Sequence, residues 1–331
     1  MISRVADHAF WYGRYVERAE STARLLAVTH NLALDAELSP EQCWRPIVIV
    51  CGEEAPYVAR FGADALGDRE EVQGYMTWSE DNPSSLVCST RAARENARSI
   101  REVVSLEVWE TTNELHLFLQ RDETRAEYAR DPLGFYRSVR QSTQLCLGLL
   151  RSTMLHDIAL DFIWLGVMLE RVGQTARLLD VQHHALASAF GEAEGGPLSR
   201  YAAVETALWL SLLRACSGFE PFLKTRRGPV SGATVADFLV GEPRFPRSVR
   251  YCVHSAYERL CAIRPPEAER LPGGQTLARL AQLDAHLQGT RVVNGRTLTH
   301  AEVHALLTHV IDEVAAICDG IGAELLGTGP G

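Results

Sequence analysis

The sequence predicts an all-α protein, a multi-helix bundle with two internally repeated central helices. Two observations carry that prediction. Nearly every periodic stretch has the helical period, and none alternates convincingly with period two. One helical stretch is also written twice: WYGRYVERAESTARLL (11–26) returns as WLGVMLERVGQTARLL (164–179). From Trp11 to Val28 and from Trp164 to Val181, ten of eighteen positions are identical. They include Gly13/Gly166, Glu17/Glu170, Arg18/Arg171, Thr22/Thr175 and Arg24/Arg177.

Each element can be justified in turn. Residues 3–34 read as one long helix, because Val5, His8, Tyr12, Tyr15, Val16, Ala19, Ala23 and Leu26 fall on one side of it. The apolar run PIVIVC (46–51) is expected to be a buried helical turn started by Pro46, since a lone short strand among helices is disfavoured. Asn82-Pro83 is expected to open a helix as N-cap and first residue, running with a kink to about residue 118. Asp131-Pro132 repeats that pattern ahead of a helix over 131–150. The second copy of the repeat covers about 155–188, followed by helices over 198–217, 247–262 and 275–289. Thr299 caps a final helix to about Leu325. Breaks fall at 191–199, 225–234, 241–246 and 264–274, none long enough for a disordered linker. A single helical domain over 1–331 follows, with pseudo-repeat halves near 1–150 and 151–331.

The bulk properties narrow the function classes. A hydrophobic content of 46% and a charged content of 23% over 331 residues are those of a globular chain with room for a large core. The net charge of −9 argues against a general nucleic-acid scaffold or a binder of anionic membranes. Lys224 is the sole lysine, so any lysine-nucleophile chemistry would rest on it. The eight cysteines form no C-x-x-C pair and sit mostly in apolar helical patterns, as reduced thiols of a cytoplasmic protein do. The N-terminus carries charges where a signal peptide needs an apolar run, and no stretch approaches the ~18 apolar residues of a membrane span. The expected location is the cytoplasm.

The repeated Glu-Arg pair is the candidate chemistry. Glu17 and Arg24 share one stripe of their helix with Gly13 beside them, while Trp11, Arg18 and Leu25 lie roughly 100° away. In the first copy Arg14 can meet Glu17 at i,i+3, and Glu20 can meet Arg24 at i,i+4. In the second copy Val167 and Gly173 replace Arg14 and Glu20, and the helix is apolar on nearly every side, as a central buried helix is. A buried Arg171 then needs a partner from elsewhere in the fold. Two readings stay open. One is a cross-helix network of Glu17 with Arg171 and Glu170 with Arg18. The other is an anion site, in which guanidinium forks of Arg18, Arg24, Arg171 and Arg177 hold a carboxylate or phosphate. Gly13 and Gly166 suit close backbone approach, between helices or to a ligand.

Other segments offer candidate walls for that site. Arg98 and Arg101 lie on a polar stripe of the 83–118 helix, either as a solvated face or as a second wall. Arg247 and Ser248 stand at the start of the 247–262 helix, where Ser248 either caps the helix or helps its N-terminus hold an anion. His300 and His304 are spaced i,i+4 without an evident third ligand, and the adjacent His183 and His184 do not face the same way, so no metal is expected. No Glu has a His three residues on, which disfavours di-iron chemistry. Phosphate-loop, dinucleotide and nucleophile-elbow motifs are absent, so no cofactor is expected in this chain.

SRVADHAFWYGRYVERAESTARLL (3–26) resembles the start of the alpha-E domain family, an all-helical domain named for its Glu-Arg motif. RAARENARSIREVVSLEVWETTNEL (91–115), LERVGQTARLLD (169–180) and FPRSVRYC (245–252) match the same pattern. The string GVMLER departs from it, with Val167 where the family carries an Arg. The resemblance implies a helical accessory protein of an ATP-grasp-type amide ligase system for peptide synthesis or tagging. Its partners would be an ATP-grasp-like ligase and a transglutaminase-like protein, and ATP would be bound by a partner. Two other functions remain: a stand-alone enzyme or small-molecule binder with a Glu/Arg-lined pocket, where Glu17 or Glu170 would serve as acid/base with a raised pKa, and a structural oligomer whose Glu-Arg pairs fix helix register.

Overall fold

The computed structural model describes residues 3–35, 38–190, 198–225, 228–289 and 299–327. All regular structure among them is helical. The first half comprises α1 (Ser3–Asp35), α2 (Pro40–Val50), α3 (Glu54–Phe61), α4 (Arg69–Trp78), α5 (Leu86–Ser99), α6 (Leu106–Gln120), α7 (Asp122–Arg130) and α8 (Pro132–Ser152). The second comprises α9 (Ile158–Phe190), α10 (Leu198–Ala215), α11 (Phe219–Thr225), α12 (Gly232–Gly241), α13 (Val249–Ile263), α14 (Gly274–Gly289) and α15 (His300–Gly320), which runs on into a π turn over Ile321–Leu326. No helix among the described residues is long and apolar enough to cross a membrane.

The two longest helices, α1 and α9, pack on each other at the centre. Glycine at one position on each makes the contact possible. A Cβ at Gly13 would collide with the backbone carbonyl of Ile163, and one at Gly166 with that of Phe10. Around this crossing, α5 and α8 lean on α1, while α13 and α15 lean on α9. One core cluster joins the first turns of α1 (Ala6, Phe10, Tyr12) to α9, α13 and α15; another joins its later turns (Ala19, Ala23, Leu26) to α2, α4 and the start of α8.

Most of the expected starts hold. Asp131 caps α8 ahead of Pro132, Ser248 caps α13 and Thr299 caps α15. Two expectations need correction. The 83–118 helix is two helices, because Ile100 leaves helical geometry and Ser105 restarts the chain by accepting the Val108 amide at 3.2 Å. Its N-cap is Ser85 rather than Asn82, whose Oδ1 accepts the Ser84 amide at 2.8 Å one step earlier. Residues 46–50 are helical, as expected, with Cys51 as C-cap, but the helix begins at Pro40 behind a Ser39–Gln42 capping box, with Pro46 in its interior. The break expected at 191–199 lies outside the described residues as far as 197, and 226–227 of the next break lie outside them as well.

Candidate functional site

Where α1 crosses α9, the two Glu-Arg pairs reach across to each other. Arg171 places Nη2 at 2.8 Å from Glu17 Oε2, and Arg18 places Nε at 2.8 Å from Glu170 Oε1. The cross-helix pairing, one of the two readings of the sequence, is therefore present in both directions. The two ends of the crossing nevertheless differ in what surrounds each carboxylate.

The Glu17 end is filled. Arg247, just before α13, puts Nη1 at 2.7 Å from Glu17 Oε1 and Nη2 at 2.7 Å from Glu20 Oε2. Glu20 also accepts from Arg24, at i,i+4 as expected, and from Gln144 at 3.2 Å. Both glutamates are fully buried. Burial raises the Glu20 carboxyl, but Arg247 and then Arg24 overcome that and hold it at about 2. Ser248 does not touch these carboxylates. It accepts the Tyr251 amide at 3.1 Å and donates to the Glu242 carbonyl at 2.6 Å, so it caps α13 and fixes the turn that presents Arg247. Thr175 Oγ1 holds the same turn by donating to the Arg247 carbonyl at 3.0 Å.

The Glu170 end is open. Arg18 adds a second bond, Nη2 to Glu170 Oε2 at 3.1 Å, and Arg14 Nε reaches the same oxygen at 2.8 Å. Arg14 was expected to meet Glu17 on its own helix. It crosses to α9 instead, because Arg171 and Arg247 already occupy both oxygens of Glu17. Burial raises the Glu170 carboxyl, and Arg18 and then Arg14 more than reverse this, leaving it well below the usual carboxylate range. Arg177 has a backbone partner, with Nε at 2.8 Å from the Val50 carbonyl, and burial lowers its guanidinium below the usual value. These groups line a cavity of about 240 Å³, together with Thr22, Cys51, Gly52, Ser84 and Gln174. Burial pushes the Cys51 thiol up to about 12, so it stays protonated and is no nucleophile.

The cause of the difference can be named residue by residue. Glu20 in α1 is matched in α9 by Gly173, whose missing side chain leaves room for the Arg177 guanidinium: a Cβ there would lie 3.0 Å from Arg177 Nη1. The turn Pro246-Arg247-Ser248 before α13 is matched by Pro83-Ser84-Ser85 before α5. In each turn the capping serine's amide returns to the residue three back, Phe245 at 2.9 Å and Asn82 at 3.0 Å. The guanidinium that fills one end is thus a serine hydroxyl at the other. One end sets two carboxylates against Arg24, Arg171 and Arg247. The other lines a cavity with one carboxylate, Glu170, against Arg14, Arg18 and Arg177, with the buried Glu53 carboxylate behind Ser84, whose hydroxyl it accepts at 2.8 Å.

Besides Ser248, two further sequence candidates do not join this site. Arg98 is exposed and pairs with Glu95 at 2.6 Å, and the exposed Arg101 lies over the Trp109 ring at 4.8 Å. The wall that α5 does contribute is its N-terminal approach at Ser84, because Arg98 sits at the far end of the helix, about 20 Å along its axis from the Ser85 cap. Sequence reasoning missed Arg14, Ser84, Cys51 and Gln174 as lining residues. For Arg14 a signal existed, since Val167 stands in its place in the second copy.

Two uncharacterized proteins, Mb2597 of Mycobacterium bovis and Rv2567 of Mycobacterium tuberculosis, are 28% and 27% identical to this chain over 97% of its length and 34% of theirs. The chain thus spans about a third of the length of these curated relatives. No solved structure matches. A family described as a predicted alpha-helical domain with a conserved ER motif matches residues 1–326, and the chain belongs to that family, Alpha-E.

Proposed function

We propose that this chain is a binding protein for a small anionic group, a carboxylate or a phosphate, held by Arg14, Arg18 and Arg177 in the cavity beside Glu170. The observation that carries the reading is an open cavity lined by three guanidiniums and one carboxylate, at the end where Gly173 and Ser84 replace a glutamate and an arginine. Arginine forks suit planar, bidentate oxyanions, and a cavity of this size admits a small ligand or the acidic end of a larger one. Glu170 is too strongly held as a carboxylate to serve as a general acid near neutral pH, which favours binding over catalysis by this chain alone.

The resemblance noted above supplies a setting for such a protein: an accessory of an ATP-grasp-type amide ligase, presenting the acidic end of a substrate to a partner that binds ATP. The relatives' further two-thirds of chain are where a partner activity could be joined covalently. Eight free thiols suit a cytoplasmic location.

The test is thermal unfolding with inorganic phosphate, and separately with glutamate, against chloride at equal ionic strength. The native chain is expected to gain melting temperature with one of these anions. Arg177→Gln, and Gly173→Glu, which rebuilds the Glu20–Arg24 pairing at the open end, are each expected to abolish the gain. An equal gain in the native chain and both variants would refute the site.

A further inference from the structure

A second, separate cluster lies further along α9. His304 Nδ1 is 2.7 Å from Asp180 Oδ1, and His184 Nε2 is 3.0 Å from His304 Nδ1 and 4.0 Å from Asp180 Oδ1. The three atoms lie within 4.8 Å of one another and come from two helices, with His184 and His304 separated by 120 residues. Sequence spacing paired His304 with His300, whose side chain lies outside the described residues, and set His184 aside for pointing away from His183. The fold instead joins one turn of α9 to the first turns of α15.

Without a cation, one shared proton can link the three atoms. Asp180 as a carboxylate only accepts, so His304 Nδ1 must hold a proton towards it. His184 Nε2, 3.0 Å away, can accept the same proton through its own lone pair. A cation at the centre would use one lone pair from each of the three atoms. Ligands about 2.0–2.1 Å from a tetrahedral ion stand about 3.3 Å apart, and the separations of 2.7, 3.0 and 4.0 Å bracket that value.

We propose that Asp180, His184 and His304 form a site for a divalent transition-metal ion of the zinc class. Two imidazoles and one carboxylate select such an ion over magnesium or calcium, which prefer all-oxygen sites. Three protein ligands leave a coordination position open. Asp180 and His184 also line a groove of about 540 Å³ against Glu41, Arg45 and Ile49 of α2, so the ion would face a space that can admit a further ligand. Asp180 lies ten residues beyond Glu170, about 15 Å along the helix, so this site is separate from the arginine-lined cavity.

The experiment is a titration of the chelator-treated full chain with Zn²⁺ by calorimetry and with Co²⁺ by visible absorption. The expected result is one tight equivalent and a cobalt d–d band without a thiolate charge-transfer band. His184→Ala and His304→Ala should each weaken binding by at least about tenfold. Both side chains are about half exposed, so both variants should fold. Arg177→Gln should bind the metal unchanged, which separates this proposal from the anion site. Zinc binding that survives the His184→Ala/His304→Ala double variant, a thiolate band, or no binding by the native chain would each overturn the proposal.

Discussion

Arg247→Met isolates the charge that closes one end of the helix crossing. Methionine keeps most of the apolar stem and removes the fork that reaches Glu17 and Glu20 at 2.7 Å each. Glu17 retains Arg171, and Glu20 retains Arg24 and Gln144. Breaking one buried ion pair costs about 3–5 kcal/mol, and since each carboxylate keeps a partner, that single-pair range is the expectation here. The electrostatics point the same way: Arg247 and Arg24 together hold the Glu20 carboxyl at about 2 against its burial, so losing Arg247 removes a main part of that hold. For a chain this long each kcal/mol moves the melting temperature by roughly 2 °C, so a fall of roughly 6–10 °C is expected at pH 7. The sign with pH follows from the lowered carboxyl. Its stabilisation is complete above the unfolded value and is lost as pH falls towards 2. The gap between native and variant proteins should therefore be full above about pH 5 and shrink in acid. Circular-dichroism melts at pH 7, 5, 4 and 3 measure it. A gap below about 2 °C at pH 7, or one that stays constant into acid, would refute the reasoning.

Gly13→Ala and Gly166→Ala should each lower stability by about 3 kcal/mol or more, since the added methyl meets backbone rather than a movable side chain. Gly148→Ala, on an exposed helical position with nothing within 4 Å, should raise it by about 0.5–1 kcal/mol, and urea unfolding of the three variants gives the contrast. Ser248→Ala should cost about 1–2 kcal/mol, because it uncaps α13 and frees the turn carrying Arg247. A Ser248→Ala melt within experimental error of the native chain would contradict that capping role.

The all-helical class, most helix starts and the central place of the two Glu-Arg helices were legible in the sequence, because periodicity, caps and prolines act over one or two turns. The reciprocal pairing of Glu17 with Arg171 and Glu170 with Arg18 was legible as one of two readings, since a buried Arg171 without a local carboxylate needed a partner from elsewhere. Only the tertiary structure decided which end of the crossing is filled. That depends on Arg247 arriving from more than 200 residues beyond Glu17 while Ser84 takes the matching place; Arg247 was legible as a candidate wall, but the end it fills was not, and Ser84 carried no local sign of its destination. The same holds for Arg98 and Arg101, whose stripe looked like a wall until α5 proved to start at the site and run away from it, leaving both at or beyond its far end. It holds again for His184 and His304, whose ring nitrogens meet only because α15 packs along α9. Local sequence specifies which face of a helix is charged. Which other charges face it is settled by packing the whole chain, where every buried ion must find a partner at once.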